Sequence, residues 1–141
     1  MTRFLDSSAI VAAYATEGKS RRARELLRGA VAVSRLAEVE IVSALARLAR
    51  EHAPPVARRD AVIDAFVSDL DHWVIVEISA DVTMRARELL VRRSLRASDA
   101  IQLASALMMH ERLPRGLDAF VAFDKRLADA ARAEGLSVVE Q

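Results

Sequence analysis

Four acidic residues of this sequence stand where a predicted strand ends or a predicted helix begins. They are Asp6, Glu40, Asp99 and Asp124. Asp6 and Asp124 directly follow short apolar segments of strand character, whereas Glu40 and Asp99 fall in the first two turns of helical segments. Because ligands of an open parallel sheet bind beyond the carboxyl ends of its strands, we expect Asp6, Glu40 and Asp124 at one edge. Asp99 joins them if its helix points in the same direction.

A cluster of carboxylates of this kind needs a cation. Two carboxylates about 4 Å apart repel each other by about 4 kcal/mol at an effective dielectric constant of about 20, so protonation or a bound metal must offset the charge. The chain has no cysteine, and His52, His72 and His110 show no ligand spacing, so an all-oxygen site favours Mg²⁺ or Mn²⁺ over Zn²⁺. A metal-activated water attacking a phosphodiester bond is the leading chemical prediction.

Composition excludes several other classes of protein. The chain has 141 residues, of which 52% are hydrophobic, so it can form one domain whose core is stable without disulfides or a structural metal. Without cysteine it has no disulfide or thiol chemistry. It lacks an uncharged apolar run of about 18 residues and the features of a signal peptide. The sequence therefore predicts a single cytoplasmic domain over residues 1–141 with no membrane span. A net charge of +1 gives no whole-molecule argument for nucleic acid binding.

Strand and helix patterns alternate along the chain. Strands are predicted at residues 3–5, 30–33, 73–78, 119–123 and 137–139. Helices are predicted from Ser7 to Gly18 and over residues 20–28, 34–52, 54–70, 81–93, 98–109 and 124–134. The helix from Ser98 is apolar nearly all round and should lie in the middle of the fold. This alternation predicts an α/β protein with three α/β/α layers, whose central, mostly parallel sheet has four to five strands.

Four segments resemble, in their usual order, the four acidic motifs of PIN domains. They are FLDSSAI at residues 4–10, SRLAEVEIVSAL at 34–45, SDAIQLA at 98–104 and FVAFDKRL at 120–127. The resemblance extends over essentially the whole chain and is greatest to the VapC toxins of toxin–antitoxin pairs. It implies a PIN domain with Mg²⁺-dependent endoribonuclease activity on RNA. It also implies a homodimer and a VapB-type antitoxin that blocks the acidic groove.

The resemblance assigns roles to particular residues. It implies that the four acids serve both as catalytic residues and as metal ligands, and we expect Ser7, Ser8 and Asp118 as supporting candidates. From the residues alone, two positions have competing candidates. Glu38 and Glu40 lie about 200° apart around a helix, so only one can face the site, and the family motif selects Glu40. Asp118 competes with Asp124 for the fourth position, and the acid directly after the strand matches the motif better.

Other interpretations compete with this one. The sequence departs from the family at Ala122, where a hydroxyl residue is frequent, and a PIN-like binding protein without turnover would explain that change. A phosphatase with Asp6 as nucleophile would need a second aspartate at position 8, but that residue is a serine, Ser8. A PIN nuclease that processes RNA or cleaves DNA is a third alternative, and the short chain favours the toxin type. The arginine-rich stretch at residues 85–96 is interpreted as a solvated helix face, with phosphate binding as the alternative.

Overall fold

The computed structural model describes residues 1–15 and 21–140. The five strands of this part of the chain are β1 (Thr2–Leu5), β2 (Ala30–Ser34), β3 (Val74–Val76), β4 (Ala119–Val121) and β5 (Val138–Val139). Its helices are α1 (Ser7–Ala15), α2 (Arg21–Leu26), α3 (Arg35–His52), α4 (Val56–Leu70), α5 (Ala80–Arg92), α6 (Ala97–Arg112) and α7 (Lys125–Ala133). The predicted helix end at Gly18 and helix start at Ser20 lie outside the described residues.

The strands form one sheet in the order β3-β2-β1-β4-β5, and every neighbouring pair is parallel. β1 is central, because Phe4 is in register with Ala32 of β2 on one side and with Phe120 of β4 on the other. The predicted parallel sheet of four to five strands is therefore confirmed. Since all strands run the same way, the residues that follow β1 and β4 lie at the same edge, as the sequence predicts.

Helices cover both faces of the sheet, each over its own apolar core. Alternate side chains of β1 divide between the two cores, with Phe4 in one and Leu5 in the other. The Phe4 core lies under α5, α6 and α7, and the Leu5 core lies under α1, α3 and α4. The α6 helix is buried on most of its circumference, from Asp99 to Met108. The three-layer architecture and the central place of this helix are thus confirmed.

Helix starts follow local hydrogen bonding. The hydroxyls of Ser34 and Ser79 accept bonds from backbone N–H groups in the first turns of α3 and α5, as N-cap residues do. The α6 helix begins one residue earlier than expected, because Arg96 takes the N-cap position and Ser98 lies inside the first turn. Its cap has no side-chain hydrogen bond. Within the described residues, no helix combines the length and the apolar character that crossing a membrane requires.

Candidate active site

Asp6 lies at the end of the central strand and at the start of α1. Its backbone N–H donates to the Val121 carbonyl at 3.0 Å, which fixes it beside the end of β4. Its Oδ1 accepts bonds from the Ser8 hydroxyl at 2.6 Å and from the Ala9 N–H at 3.3 Å, so Asp6 caps α1. The side chain is only 4% exposed. Burial raises the pKa of this carboxyl to about 6; the hydrogen bonds oppose that rise and the charge of Asp99 adds to it.

Asp99 reaches the same edge from the opposite helical layer. It lies in the first turn of α6, it is 8% exposed, and its charge acts on the pKa of Asp6. The amino end of α6 therefore lies at the carboxyl edge of the sheet. The sequence did not determine this orientation of the helix. Two buried carboxylates from separate elements thus share one environment.

Glu40 projects from α3 toward the same edge, and its carboxylate is fixed by two donors. Its Oε1 accepts bonds from the Ser7 hydroxyl and from the Gln102 amide, both at 2.8 Å. Glu38 lies elsewhere on the helix, where it accepts a 3.0 Å bond from Arg35 in a largely exposed ion pair. The structure therefore brings Glu40, and not Glu38, to the other acids.

Asp124 lies just beyond the end of β4. Its Oδ1 accepts a 3.2 Å bond from the Leu127 N–H and so caps α7. Asp118 stands at the other end of the same strand, where its N–H donates to the Thr2 carbonyl at 2.8 Å and its side chain is exposed. Asp118 is therefore a full strand length away from Asp6, and the structure separates this supporting candidate from the acids.

The two serines behave differently. The Ser7 hydroxyl bonds to Glu40, whereas the Ser8 hydroxyl donates to Asp6 and accepts a 2.9 Å bond from the Phe123 N–H. Ser8 thus connects the start of α1 to the chain that leaves β4. Both serines therefore support the acids by hydrogen bonds, as the sequence predicts, while Asp6 itself caps α1.

The sequence matches the PIN domain family over residues 3–133. The chain belongs to the PIN-domain family. Two curated relatives from Mycobacterium tuberculosis, ribonuclease VapC45 of strain CDC 1551 / Oshkosh and ribonuclease VapC49 of strain ATCC 25618 / H37Rv, are each 36% identical over 140 residues. Each match covers 96% of this chain and 92% of the relative.

Solved structures show the same fold. VapBC2 from Rickettsia felis, bound to a DNA fragment from its promoter, superposes with a TM-score of 0.67 at 17% identity over 100% of this chain and 99% of that one. VapC20 from Mycobacterium tuberculosis, a sarcin-ricin loop cleaving toxin, has a TM-score of 0.63 at 24% identity over 95% of each chain. A toxin–antitoxin complex from Klebsiella pneumoniae matches with a TM-score of 0.66 at 19% identity over 97% and 95%. At these identities the likeness establishes the PIN fold.

Arg96 is a site residue that sequence reasoning placed on a solvated surface. In this PIN domain its Nε donates to Asp99 Oδ2 at 3.2 Å, and its Nη2 lies 3.5 Å from Asp124 Oδ2. The hydrogen bond to Asp99 is the main reason why the pKa of Arg96 is raised, and Asp124 and Glu40 add to it. Its side chain remains 72% exposed. An exposed guanidinium thus lies between two of the four acids.

Three other arginines of the basic stretch have partners away from the acids. Arg85 pairs with Glu111, and Arg92 and Arg93 both pair with Glu134. Their distribution agrees with the interpretation of most of this stretch as helix surface. The exception, Arg96, differs because it directly precedes α6, whose amino end points at the acids.

The donors at this edge suit a hard divalent cation. All four acids offer carboxylate oxygens, and Mg²⁺ is usually held by one or two carboxylates together with water. Burial and the nearby charge of Asp99 raise the pKa of Asp6, and a cation bound at this edge would stabilise the charged form of that carboxyl. Across residues 1–15 and 21–140, no three acidic or histidine side chains converge closely enough to enclose a metal by themselves. The side chains therefore fit a site with two carboxylates and open positions better than a closed cage.

Proposed function

We propose that this PIN domain is a Mg²⁺-dependent endoribonuclease of the VapC type, the toxin of a VapBC toxin–antitoxin pair. The observation that carries the proposal is the meeting of two buried carboxylates, Asp6 and Asp99, at the carboxyl edge of a parallel sheet. Glu40 and Asp124 lie around that edge. Identity of 36% to two proteins named ribonuclease, over nearly the whole chain, supports RNA as the substrate.

Asp6 and Asp99 would be the principal metal ligands, with Glu40 and Asp124 as further ligands directly or through water. Mn²⁺ would substitute for Mg²⁺, because both prefer oxygen donors. When bound, such an ion lowers the pKa of a water molecule and offsets the charge that develops on a phosphodiester during hydrolysis.

The chain's own groups set the geometry and charge of this site. The Ser8 hydroxyl and the Ala9 N–H hold Asp6 Oδ1, which limits the rotation of that carboxylate. Above a pH of about 6 the Asp6 carboxyl is mostly ionised even without a metal. Arg96 presents a planar, permanently charged group that suits a phosphate oxygen, so we assign it to the RNA backbone beside the scissile bond. With Arg96 on the RNA, the Asp99 carboxylate would be released from its hydrogen bond with Arg96 and would hold the metal.

The proposal includes partners and location. A VapB-type antitoxin would cover the acidic edge. The R. felis neighbour is VapBC2 and the K. pneumoniae neighbour is a toxin–antitoxin complex, which supports a partner of this class. We also propose a homodimer acting in the cytoplasm, where RNA is available.

Cleavage of total cellular RNA by the purified protein tests the activity. Wild type, Asp99→Asn and Asp118→Asn should be compared with Mg²⁺ and with EDTA. Asp118→Asn is a matched control, because it removes an equal charge at the opposite edge of the sheet. We expect discrete fragments from wild type and Asp118→Asn with Mg²⁺ only, and none from Asp99→Asn. No cleavage by folded, antitoxin-free wild type would contradict the proposal, and metal-independent cleavage would contradict its mechanism.

A further inference from the structure

Gln102 is a buried polar residue on the inner face of α6, one turn after Asp99. Its side chain is 2% exposed. The amide Nε2 donates to Ser7 Oγ at 2.9 Å and to Glu40 Oε1 at 2.8 Å. The amide Oε1 is buried and has no hydrogen-bond partner within the described residues.

The three polar groups form a closed triangle, since Ser7 Oγ also donates to Glu40 Oε1 at 2.8 Å. Its corners come from α1, α3 and α6, so it connects helices from both faces of the sheet. One carboxylate oxygen of Glu40 receives both donors, which leaves the other oxygen for a ligand. A long, flexible glutamate side chain loses most of its rotational freedom in such an arrangement.

Stability alone does not explain a glutamine at this position. A buried carbonyl without a partner costs free energy, whereas an apolar side chain of the same volume would not incur that cost. Most neighbouring buried positions of α6 hold apolar side chains, among them Leu103 and Ala104. The buried Ser105 differs from Gln102, because its hydroxyl is satisfied by the Ile101 carbonyl at 2.8 Å.

We infer that Gln102 is a positioning residue, which with Ser7 fixes the Glu40 carboxylate for its part in metal binding. The inference rests on the proposed function and deepens it. The two polar atoms of the amide point in different directions. When Nε2 donates to Glu40, Oε1 points away from Glu40 and stays buried without a partner. Gln102 thus orders the Glu40 carboxylate while one of its own polar atoms stays unpaired.

The test is a Mn²⁺ titration by calorimetry together with thermal unfolding in EDTA, on wild type and Gln102→Met. Methionine keeps the length and volume of the side chain and removes both polar atoms. We expect a melting temperature close to that of wild type, because removal of the unpaired carbonyl offsets the loss of the two Nε2 hydrogen bonds. The Kd for Mn²⁺ should rise on the order of tenfold, as for other residues that orient a metal ligand. Ser105→Ala is the matched control, a buried polar substitution on the same helix that should leave the Mn²⁺ affinity unchanged.

Two further variants separate positioning from a general structural effect. Ser7→Ala removes the other donor to Glu40 and should weaken Mn²⁺ binding in the same direction, whether or not Gln102→Met folds. In the Glu40→Gln background, Gln102→Met should cause almost no additional loss of affinity, because its effect passes through Glu40.

Unchanged Mn²⁺ affinity in Gln102→Met and Ser7→Ala, or additive losses in the double variant, would overturn the inference. In those cases a wild type that binds Mn²⁺ and cleaves RNA would leave the proposed function intact. A wild type that does neither would overturn both.

Discussion

Replacing Asp6 by asparagine should stabilise the metal-free protein at neutral pH while abolishing RNA cleavage. The carboxyl is buried, and its neighbour Asp99 adds negative charge, so the folded state disfavours the ionised form. Asparagine has nearly the same shape, and its oxygen can still accept the bonds from Ser8 and Ala9. The substitution therefore removes the charge and keeps the cap of α1.

The magnitude follows from the pKa of Asp6. Its rise from 3.8 to about 6 on folding corresponds to a loss of about 3 kcal/mol in the free energy of unfolding once the group is ionised in both states. The bonds from Ser8 and Ala9 are weaker to an amide than to a carboxylate, so we expect a net gain of about 1–3 kcal/mol. In a chain of this size that gain raises the melting temperature by roughly 3–10 °C.

The size of this stability difference between wild type and Asp6→Asn depends on pH. Below about pH 4 the carboxyl is protonated in both states, and the folded protein carries no penalty. Between about pH 4 and 6 the unfolded chain loses its proton first, so the stability of wild type falls relative to the variant. Above about pH 6 the difference is complete and constant.

Urea denaturation in EDTA at pH 4 and pH 7.5 measures this difference. Asp118→Asn is the control, because that side chain is exposed and should change stability little at either pH. Mg²⁺ should stabilise wild type but stabilise Asp6→Asn much less. An Asp6→Asn variant that is no more stable than wild type at pH 7.5 without metal would show that burial does not disfavour the Asp6 carboxylate.

Three other substitutions test separate contacts. Arg96→Ala should make Mn²⁺ bind about three- to tenfold more tightly, because it removes a positive charge from between two acids. Calorimetry measures this, with Arg92→Ala as the control. Weaker binding would show that Arg96 does not compete with the metal for the acids. Tyr14→Phe should lower the free energy of unfolding in urea by about 1–2 kcal/mol, because the half-buried hydroxyl donates to Asp69; an unchanged midpoint would show that this bond is not formed in solution. Phe66→Ala should cost about 3–5 kcal/mol in the same assay, because the ring is fully buried, and a loss below about 1 kcal/mol would contradict that packing.

The strands and helices could be predicted because their signals are local. The serine caps of α3 and α5 and the positive φ of Gly29 after α2 each depend on a few adjacent residues. The edge of the sheet that carries Asp6 could be predicted in the same way, because two strands of one sheet that are joined by a helix run parallel to each other. Asp118 and Asp124 flank the predicted strand at residues 119–123, and in the structure they still lie at opposite ends of β4.

The direction in which side chains point could not be predicted in the same way. Whether α6 turns its amino end toward Asp6 depends on its packing against α5 and β2, which local sequence does not encode. Gln102 looked like part of an apolar helix, and the available signal was a single amide amid aliphatic residues. Arg96 belongs to the arginine-rich stretch at residues 85–96, and composition alone does not show which of these arginines lies at the site. Both residues gain their roles from partners more than 20 positions away.

The order of the strands has a consequence for the synthesis of the protein. β1 pairs with β4, which follows it by more than a hundred residues, and the Val121 carbonyl and the Phe123 N–H that secure Asp6 and Ser8 come from that late segment. Chains emerge from the ribosome in order, so Asp6 is exposed long before its neighbours in the sheet exist. A partly translated chain therefore holds three of the four acids without the framework that brings them together. The framework that brings the four acids together is complete only after β4 has been synthesised and has paired with β1.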